Sequence, residues 1–193
     1  QASTRRDAYA TSARALSEAN HVALPDEPVT GYDLPKRYAE TIGFFWQADP
    51  QQIYRTLGRL KSAGMVTDEL VVQQGRPNKR VYSITDTGRD RLLAWSRENH
   101  AAASVKDDLL VTLYGLEHVD VAAMREQVAQ RLTHHRARLA LYERIEASSF
   151  TDVDTSDPTQ VGRLLGLQLG LAYERVWIDW CHEALAALDR ITA

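Results

Sequence analysis

The segment from Asp49 to Gly64 constrains the fold of this chain more than any other stretch. Asp49 and Pro50 predict a helix start, because a carboxylate can cap free N–H groups and proline fits the first turn. Apolar residues then recur every three to four positions, which predicts one buried helix face. Gly64 is the expected end of the helix. The residues of the apolar face are Ile53, Leu57 and Leu60.

The opposite face of this helix carries long hydrogen-bonding side chains and no carboxylate. Such a face suits the major groove of DNA, where arginine and glutamine read base edges and neutralise phosphates. An ordinary surface helix with a solvated polar face is the alternative, and the helix alone leaves both open. The residues that we expect at DNA from this helix are Gln51, Gln52, Tyr54, Arg55, Thr56 and Arg59.

A second short helix is predicted just before this one. Thr30 can cap it, with Asp33 at the capping-box position, and Gly43 is its expected end. Residues 44–46 are aromatic and form a compact connector, while residues 3–24 predict a weaker, alanine-rich helix upstream. Two short helices joined by a glycine-containing turn predict a helix-turn-helix. From the earlier helix we expect Tyr32 and Lys36 to meet the DNA backbone.

A basic hairpin follows the helix-turn-helix. The runs 65–72 and 81–85 are rich in β-branched residues and flank a Gly-Arg-Pro-Asn turn, which predicts two paired strands. A basic tip without acidic residues can lie along phosphates or enter a minor groove. This order of elements predicts a winged helix, and Thr85 then caps a further helix to about Asn99. The residues expected at DNA from the hairpin are Arg76, Asn78, Lys79 and Arg80.

The second half of the chain predicts only helices. A short one runs from about Ser104 to Gly115, and two long amphipathic ones cover 120–148 and 157–190, roughly 40 and 50 Å in length. Two long helices rarely bury both faces alone, so a dimeric bundle is expected, with packing within the chain as the alternative. Three glycines four residues apart favour close approach of another helix. The expected interface residues are Val128, Leu132, Leu139, Gly162, Gly166, Gly170 and Leu171.

The last helix also carries the residues Tyr173, Trp177 and Trp180 on one side. They are expected in the interface core or, alternatively, as an aromatic wall for a flat small-molecule effector. Adjacent His134 and His135 diverge on a helix and do not form a metal pair, and Cys181 has no other cysteine to complete a zinc site. No catalytic motif, cofactor or metal is expected.

The charge of the chain is divided between its halves. The net charge is −3, but residues 31–80 carry eight Lys/Arg against five Asp/Glu, whereas residues 105–193 carry nine against fourteen. This division suits a DNA-facing part joined to a partner-facing part. A single cysteine and the lack of a long apolar run favour a cytoplasmic protein without a membrane segment.

The motifs TGYDLPKRY, GFFWQADPQQIYRTLGRLKSAGMV and GRPNKRVYSITDTGRDRLLAW resemble the PadR family of bacterial transcriptional regulators. The resemblance covers residues 30–97, and the rest is similar to the long C-terminal dimerisation helices of one subfamily. It implies a mainly α fold with a small β-hairpin, in which a winged helix-turn-helix (1–100) precedes an all-helical dimerisation domain (104–193). It also implies a homodimeric repressor that binds a pseudo-palindromic DNA operator and is released by an aromatic or drug-like effector. A winged-helix protein-interaction module without DNA binding is the alternative.

Overall fold

The computed structural model describes residues 24, 29–41, 49–73, 75, 78–100 and 106–192, with the backbone alone at 39–41 and 192. The chain forms two compact units, residues 1–100 and 101–193. The predicted helix over 3–24, the aromatic connector at 44–46 and the predicted helix end at Gly43 lie outside the described residues, apart from Leu24, which is buried.

The described part of the first unit combines three helices with a small antiparallel sheet. Its described elements are β1 (Val29–Thr30), α1 (Asp33–Thr41), α2 (Pro50–Ser62), β2 (Val66–Val71), β3 (Lys79–Ile84) and α3 (Asp86–Ser96). The strand order is β1-β3-β2, so β3 is central. The predicted hairpin is β2 and β3, while the two-residue β1 was not predicted, since so short a strand has no periodicity to read.

Helix α1 begins as its sequence indicates. Thr30 accepts a hydrogen bond from the backbone N–H of Asp33 at 3.1 Å, and the two side chains are hydrogen-bonded to each other at 2.5 Å. Pro35, which is awkward inside a helix, falls in the first turn of α1, where its missing N–H leaves no intrahelical bond unmade. Proline is therefore compatible with this helix.

The core of the first unit lies between α1, α2 and the sheet. The apolar face predicted for α2 is buried in it, together with one side of α1 and the first residue of β2. Burial of these side chains fixes which side of α2 remains exposed. The core residues are Leu24, Val29, Leu34, Tyr38, Ile53, Leu57, Leu60 and Val66.

Gly88 marks a close approach between α3 and the turn that follows α2. A Cβ atom at Gly88 would lie 2.3 Å from the carbonyl oxygen of Met65 and 2.8 Å from Cγ1 of Ile84. Thr85 caps α3 as predicted, and its hydroxyl also donates to the carbonyl of Gly64 at 2.8 Å. The start of α3 is therefore fixed against the end of α2 by direct backbone contact.

The second unit is helical. Its elements are α4 (Asp108–Tyr114), a single 3₁₀ turn at Leu116–His118, α5 (Val121–Ser149) and α6 (Pro158–Thr192). The two long helices have the predicted bounds to within two residues. They pack against each other, and α4 contributes Leu109 to their core.

The two long helices of the second unit bury much of their apolar surface against each other. As a result, part of the apolar surface that we expected to contact a second copy of the chain is already buried within one chain. The core residues are Leu109, Met124, Val128, Leu132, Cys181 and Leu188. This part of the two helices is therefore packed within one chain.

Candidate nucleic-acid interface

Helix α2 has a well-defined start. The side chain of Asp49 accepts from the backbone N–H of Gln52 at 2.8 Å, and the side chain of Gln52 accepts from the backbone N–H of Asp49 at 3.2 Å. This reciprocal pair satisfies two free donors of the first turn, and Pro50 adds a turn residue with no donor to satisfy. Lys61 and Arg59 in the last turn suit the negative end of the helix.

The exposed face of α2 presents cations that nothing in the described chain neutralises. Arg55 and Arg59 are exposed, and their side chains make no hydrogen bond or ion pair to any residue that the structure describes. Gln51 and Gln52 are exposed beside them, and the described face contains no carboxylate. Uncompensated guanidinium groups on a rigid helix are suited to phosphate and base contacts.

Two residues that we expected at DNA from α2 have internal roles. Thr56 is only 6% exposed and lies on the buried side between Ile53 and Leu57, which corrects its assignment to the DNA-facing side. The hydroxyl of Tyr54 donates to the carbonyl oxygen of Gly31 at 2.7 Å and so ties α2 to the turn before α1. The ring of Tyr54 remains partly exposed. The 3.6-residue period places Thr56 on this side, three residues after Ile53 and four before Leu60, so the assignment to DNA followed its polar hydroxyl and not its position.

The hairpin of β2 and β3 forms the wing. Its register pairs Val66 with Ile84 at the base and Val71 with Lys79 near the turn. The side-chain oxygen of Asn78 accepts from the backbone N–H of Gln73 at 3.2 Å, which closes the turn, so part of Asn78 is used internally. Gly75 has a positive φ of 72°, as tight turns require.

The cations of the wing have unequal surroundings. Lys79 is exposed and has no ion-pair partner within the described residues. Arg80 instead forms an ion pair with Asp68 of β2, and Lys61 of α2 lies 2.5 Å from the other oxygen of the same carboxylate. The hydrogen bonds from Lys61 and Arg80 lower the pKa of Asp68, so this carboxyl is ionised at neutral pH.

Two of the remaining residues expected at DNA are exposed. Tyr32 is 89% exposed at the turn before α1, and Lys36 is exposed on α1. Arg76 lies outside the described residues. The structure therefore groups exposed Gln51, Gln52, Arg55 and Arg59 on one helix face, with Lys79 on the wing.

In the second unit, the predicted aromatic residues of α6 form a continuous row. Ring centroids lie 6.3 Å apart for Tyr173 and Trp177 and 5.3 Å apart for Trp177 and Trp180. His135 of α5 stacks parallel to Trp177 at 5.1 Å, and the guanidinium of Arg131 lies 5.1 Å from the same ring. Tyr173 is exposed, while both tryptophans are half-buried. The tryptophans thus serve in the core, and Tyr173 is accessible to a ligand or partner.

A buried polar network lies beside this aromatic row and was not predicted. Glu174 of α6 is fully buried, is in hydrogen-bond contact with Nδ1 of His135 and accepts a hydrogen bond from Nε of Arg138 at 2.8 Å. Arg138 also donates to the hydroxyl of Tyr142. The Nε2 atom of His135 is buried and has no hydrogen-bond partner among the described residues. Buried charges require such partners, because isolated ones are costly to desolvate.

A signal for this network is present in the sequence. Glu174 lies on the stripe of α6 that contains Leu167, Leu171 and Cys181, and His135 lies on the stripe of α5 between Leu132 and Leu139. A charged residue within an apolar stripe of one helix predicts a polar partner on the facing helix.

The residues expected at a dimer interface differ in exposure. Val128, Leu132 and Leu171 are buried within one chain, Leu139 is half-buried, and Gly162 is exposed. Gly166 is half-buried and Gly170 is buried. A different set of apolar side chains remains exposed along α6. These are Leu165, Leu169, Tyr173 and Val176.

The described residues carry neither a metal-binding cluster nor a membrane-spanning helix. They contain no group of three or more His, Cys, Asp or Glu side chains placed to hold a metal ion. No helix of this part of the chain has the length and apolar character needed to cross a membrane.

Comparison with known proteins identifies the family. Residues 21–94 match the model of the transcriptional regulator PadR-like family, and residues 105–189 match that of the virulence activator alpha C-terminal region. A Mycobacterium tuberculosis protein named "Probable transcriptional regulator Rv1176c" is 36% identical over 185 residues, which are 91% of this chain and 98% of that protein. The chain belongs to the PadR-like family of transcriptional regulators.

Other relatives and solved structures agree with this placement. The negative transcriptional regulator PadR of Bacillus subtilis is 28% identical over 84% of this chain and 91% of its own. The virulence activator AphA of Vibrio cholerae has a TM-score of 0.72 and 31% identity, with 91% of this chain and 99% of that chain covered. The structure of Bacillus subtilis PadR in complex with operator DNA has a TM-score of 0.74 at 24% identity, with 90% of this chain and 99% of that chain covered. The predicted winged-helix fold is confirmed.

Proposed function

We propose that this chain is a sequence-specific DNA-binding repressor that acts as a homodimer and is released by a small aromatic effector. The observation that carries the proposal is the exposed face of α2, where Arg55 and Arg59 stand without internal partners on a firmly capped helix. Arginine on such a helix can reach guanine edges and phosphates in the major groove. Gln51 and Gln52 extend this surface, and Lys79 adds a phosphate contact from the wing.

The proposal assigns different roles to the two units. Residues 1–100 act as the DNA-binding domain, with Tyr32 and Lys36 at the DNA backbone and Arg76 at the wing turn. Residues 104–193 act as the dimerisation domain. This assignment is consistent with the basic residues of 31–80 and the acidic excess of 105–193.

The exposed apolar residues of α6 support dimerisation. Leu165, Leu169 and Val176 lie four and seven residues apart and so lie along one side of the helix. A contiguous apolar stripe of this kind is costly to leave in water, and a second copy of α6 is a matching partner. A two-fold dimer reads a pseudo-palindromic operator with half-sites one or more helical turns apart, about 34 Å or a multiple.

The effector part of the proposal rests on the aromatic row. A flat aromatic ligand can stack on the exposed ring of Tyr173, next to Trp177 and Trp180. Bacillus subtilis PadR has been solved in complex with p-coumaric acid, and its fold matches this chain with a TM-score of 0.68 at 24% identity. Thermal-shift measurements with a panel of phenolic and drug-like aromatics, followed by release of bound DNA, test this part.

The proposed effect on transcription is repression, and the Bacillus subtilis relative is named a negative transcriptional regulator. Vibrio cholerae AphA is named an activator. The proposed site of action is the bacterial cytoplasm, at the nucleoid when DNA is bound, and no catalytic activity is assigned. A reporter placed behind the bound promoter decides the direction: repression predicts higher output when the regulator is deleted.

The experiment that tests DNA binding is a selection from random duplex DNA by the purified protein. Sequencing of the retained fraction should yield one enriched site with two-fold symmetry, and the enriched duplex should outcompete a shuffled duplex. The DNA upstream of the chain's own reading frame provides a second probe in a mobility-shift assay. Retention without any enriched sequence, or no retention at low salt, would leave a protein-interaction role as the better account.

A further inference from the structure

Asp68 lies at a junction between helix α2 and the wing. It belongs to β2, and its backbone faces Tyr82 of β3 in the register of the hairpin. Its side chain is 4% exposed, because Lys61 from α2 and Arg80 from β3 cover it. The Nζ atom of Lys61 lies 2.5 Å from one carboxylate oxygen, and the guanidinium of Arg80 bonds the other. One carboxylate thus joins three elements.

The position of Asp68 along the strand explains why a charge is placed there. Val66, Asp68 and Leu70 point to the same side of β2, since side chains alternate along a strand. Val66 is buried against α2, whereas Leu70 is 53% exposed. Asp68 therefore lies where the wing leaves the core and apolar packing ends. An ion pair at this point can hold the wing against α2 where hydrophobic contact no longer does.

The same contact changes the charge that the surface offers to DNA. Lys61 and Arg80 belong to the basic residues of the segment 31–80, but each has a carboxylate partner within the fold. Arg55, Arg59 and Lys79 have no such partner among the described residues. An arginine or lysine that must leave an internal carboxylate to meet a phosphate gains less from that phosphate than a free one does.

We propose that Asp68 is a positioning and specificity-determining residue for DNA recognition, an inference that rests on the DNA binding proposed above. It fixes the wing relative to α2 and withholds Lys61 and Arg80 from the phosphate backbone. Phosphate contacts are independent of sequence, so withholding cations lowers binding to all DNA alike. This loss alone leaves the ratio of operator to other affinity unchanged. Discrimination comes instead from the fixed wing, because only the operator complex requires the wing and the base-reading face of α2 in one relative position.

Replacement of Asp68 by its neutral isostere isolates this role. Asp68→Asn should release Lys61 and Arg80, which become available to phosphates. Binding to a shuffled duplex should tighten about ten-fold, and the slope of log affinity against log salt should steepen by about one unit for each cation that reaches a phosphate. The ratio of operator to shuffled affinity should fall.

The matched control is Glu69→Gln. Glu69 is the next residue of the same strand, is exposed, and points to the opposite side, so this change removes the same charge without touching Lys61 or Arg80. Fluorescence anisotropy over a series of KCl concentrations, with the duplex enriched by the wild-type protein and its shuffled version, compares the two variants. Glu69→Gln should leave the ratio of the two affinities near the wild-type value.

A second variant tests the proposal independently of the folding of Asp68→Asn. Arg80→Gln alone should leave the salt slope at its wild-type value, because Arg80 is engaged with Asp68, while lowering discrimination through a looser wing. In the Asp68→Asn background, Arg80→Gln should reverse part of the steepened slope. A salt slope that falls by about one unit in Arg80→Gln alone would make Arg80 a phosphate contact and overturn the proposal.

The outcomes separate this inference from the function on which it rests. If the wild-type protein enriches an operator and Asp68→Asn behaves as Glu69→Gln does, the inference is overturned and the proposed function stands. If the wild-type protein shows no preference between the two duplexes, both are overturned. Circular dichroism of each variant shows whether the fold is retained, and Arg80→Gln decides the matter if Asp68→Asn is unfolded.

Discussion

Arg138 of α5 donates a hydrogen bond at 2.8 Å to Glu174 of α6, a carboxylate with no exposure to solvent. Arg138 is itself largely covered, and His135 engages the other oxygen of the same carboxylate. The pair lies in the middle of two stripes that are otherwise apolar. A polar pair in such a position fixes the register of two helices, because any slip would leave the charges without partners.

This pair predicts that Glu174→Gln destabilises the second unit strongly. Neutralising the carboxylate removes the buried charge that Arg138 and His135 both contact, and breaking a buried pair in this way typically costs about 3–5 kcal/mol. Denaturant unfolding at fixed protein concentration measures the change. The matched control is Glu143→Gln, whose partner Arg175 lies 3.6 Å away in an exposed pair, and the expected loss there is below about 1 kcal/mol. Equal losses in the two variants would contradict the assigned role of Glu174.

A second prediction concerns the junction of α2 and α3. Gly88→Ala should destabilise the first unit, because the added Cβ would lie 2.3 Å from the carbonyl oxygen of Met65 and force backbone to move. A loss of about 1–3 kcal/mol is expected for overpacking of this kind, measured by thermal or denaturant unfolding. A variant as stable as the wild type would show that α3 can shift away from this turn at no cost.

Replacement of Gly58 by alanine is predicted to raise stability and to lower operator affinity. Gly58 lies in the exposed face of α2, and a Cβ atom added there would meet nothing within 4 Å. Gly58→Ala should therefore raise the free energy of unfolding by about 0.5–1 kcal/mol through helix propensity. Affinity for the operator should fall, since glycine leaves room for DNA to approach the helix. Stronger or unchanged operator binding would mean that DNA does not approach this face at Gly58.

The exposed stripe of α6 predicts the assembly state. Leu169 is 64% exposed in the single chain, and Leu169→Glu places a charge in the middle of the stripe. Light scattering after size-exclusion chromatography should show a shift from dimer to monomer, with weaker binding to a duplex that contains both half-sites. Leu93→Glu, at an exposed leucine of α3, serves as control and should leave the dimer intact. A Leu169→Glu protein that stays dimeric would place the interface elsewhere.

Much of the fold could be predicted because its signals are local. The caps at Asp49 and Thr85 mark helix starts, and apolar periodicity identified α2, α5 and α6. The turn at Gly75 lies between two β-branched runs and so identified the hairpin. Each of these features depends on neighbours within one or two turns of the chain.

The features that were missed depend on distant residues. The internal use of Arg80 follows from Lys61 and Asp68, which meet only after the hairpin has folded against α2. The pairing of His135 with Glu174 joins residues 39 positions apart on two helices. A count of charged residues in the sequence treats every lysine and arginine as able to contact DNA. The fold determines which of them are already paired with a carboxylate.

Operator binding by Arg55→Ala tests whether α2 is the DNA-reading helix, because Arg55 is exposed on α2 and unpaired among the described residues. Anisotropy titration with the enriched duplex should show a loss of about ten- to a hundred-fold, or about 1–3 kcal/mol, with the dimer unchanged. Arg144→Ala, at an exposed arginine of α5, is the charge-matched control and should bind as the wild type does. Equal operator affinity for Arg55→Ala and Arg144→Ala would contradict the assignment of α2 as the DNA-reading helix.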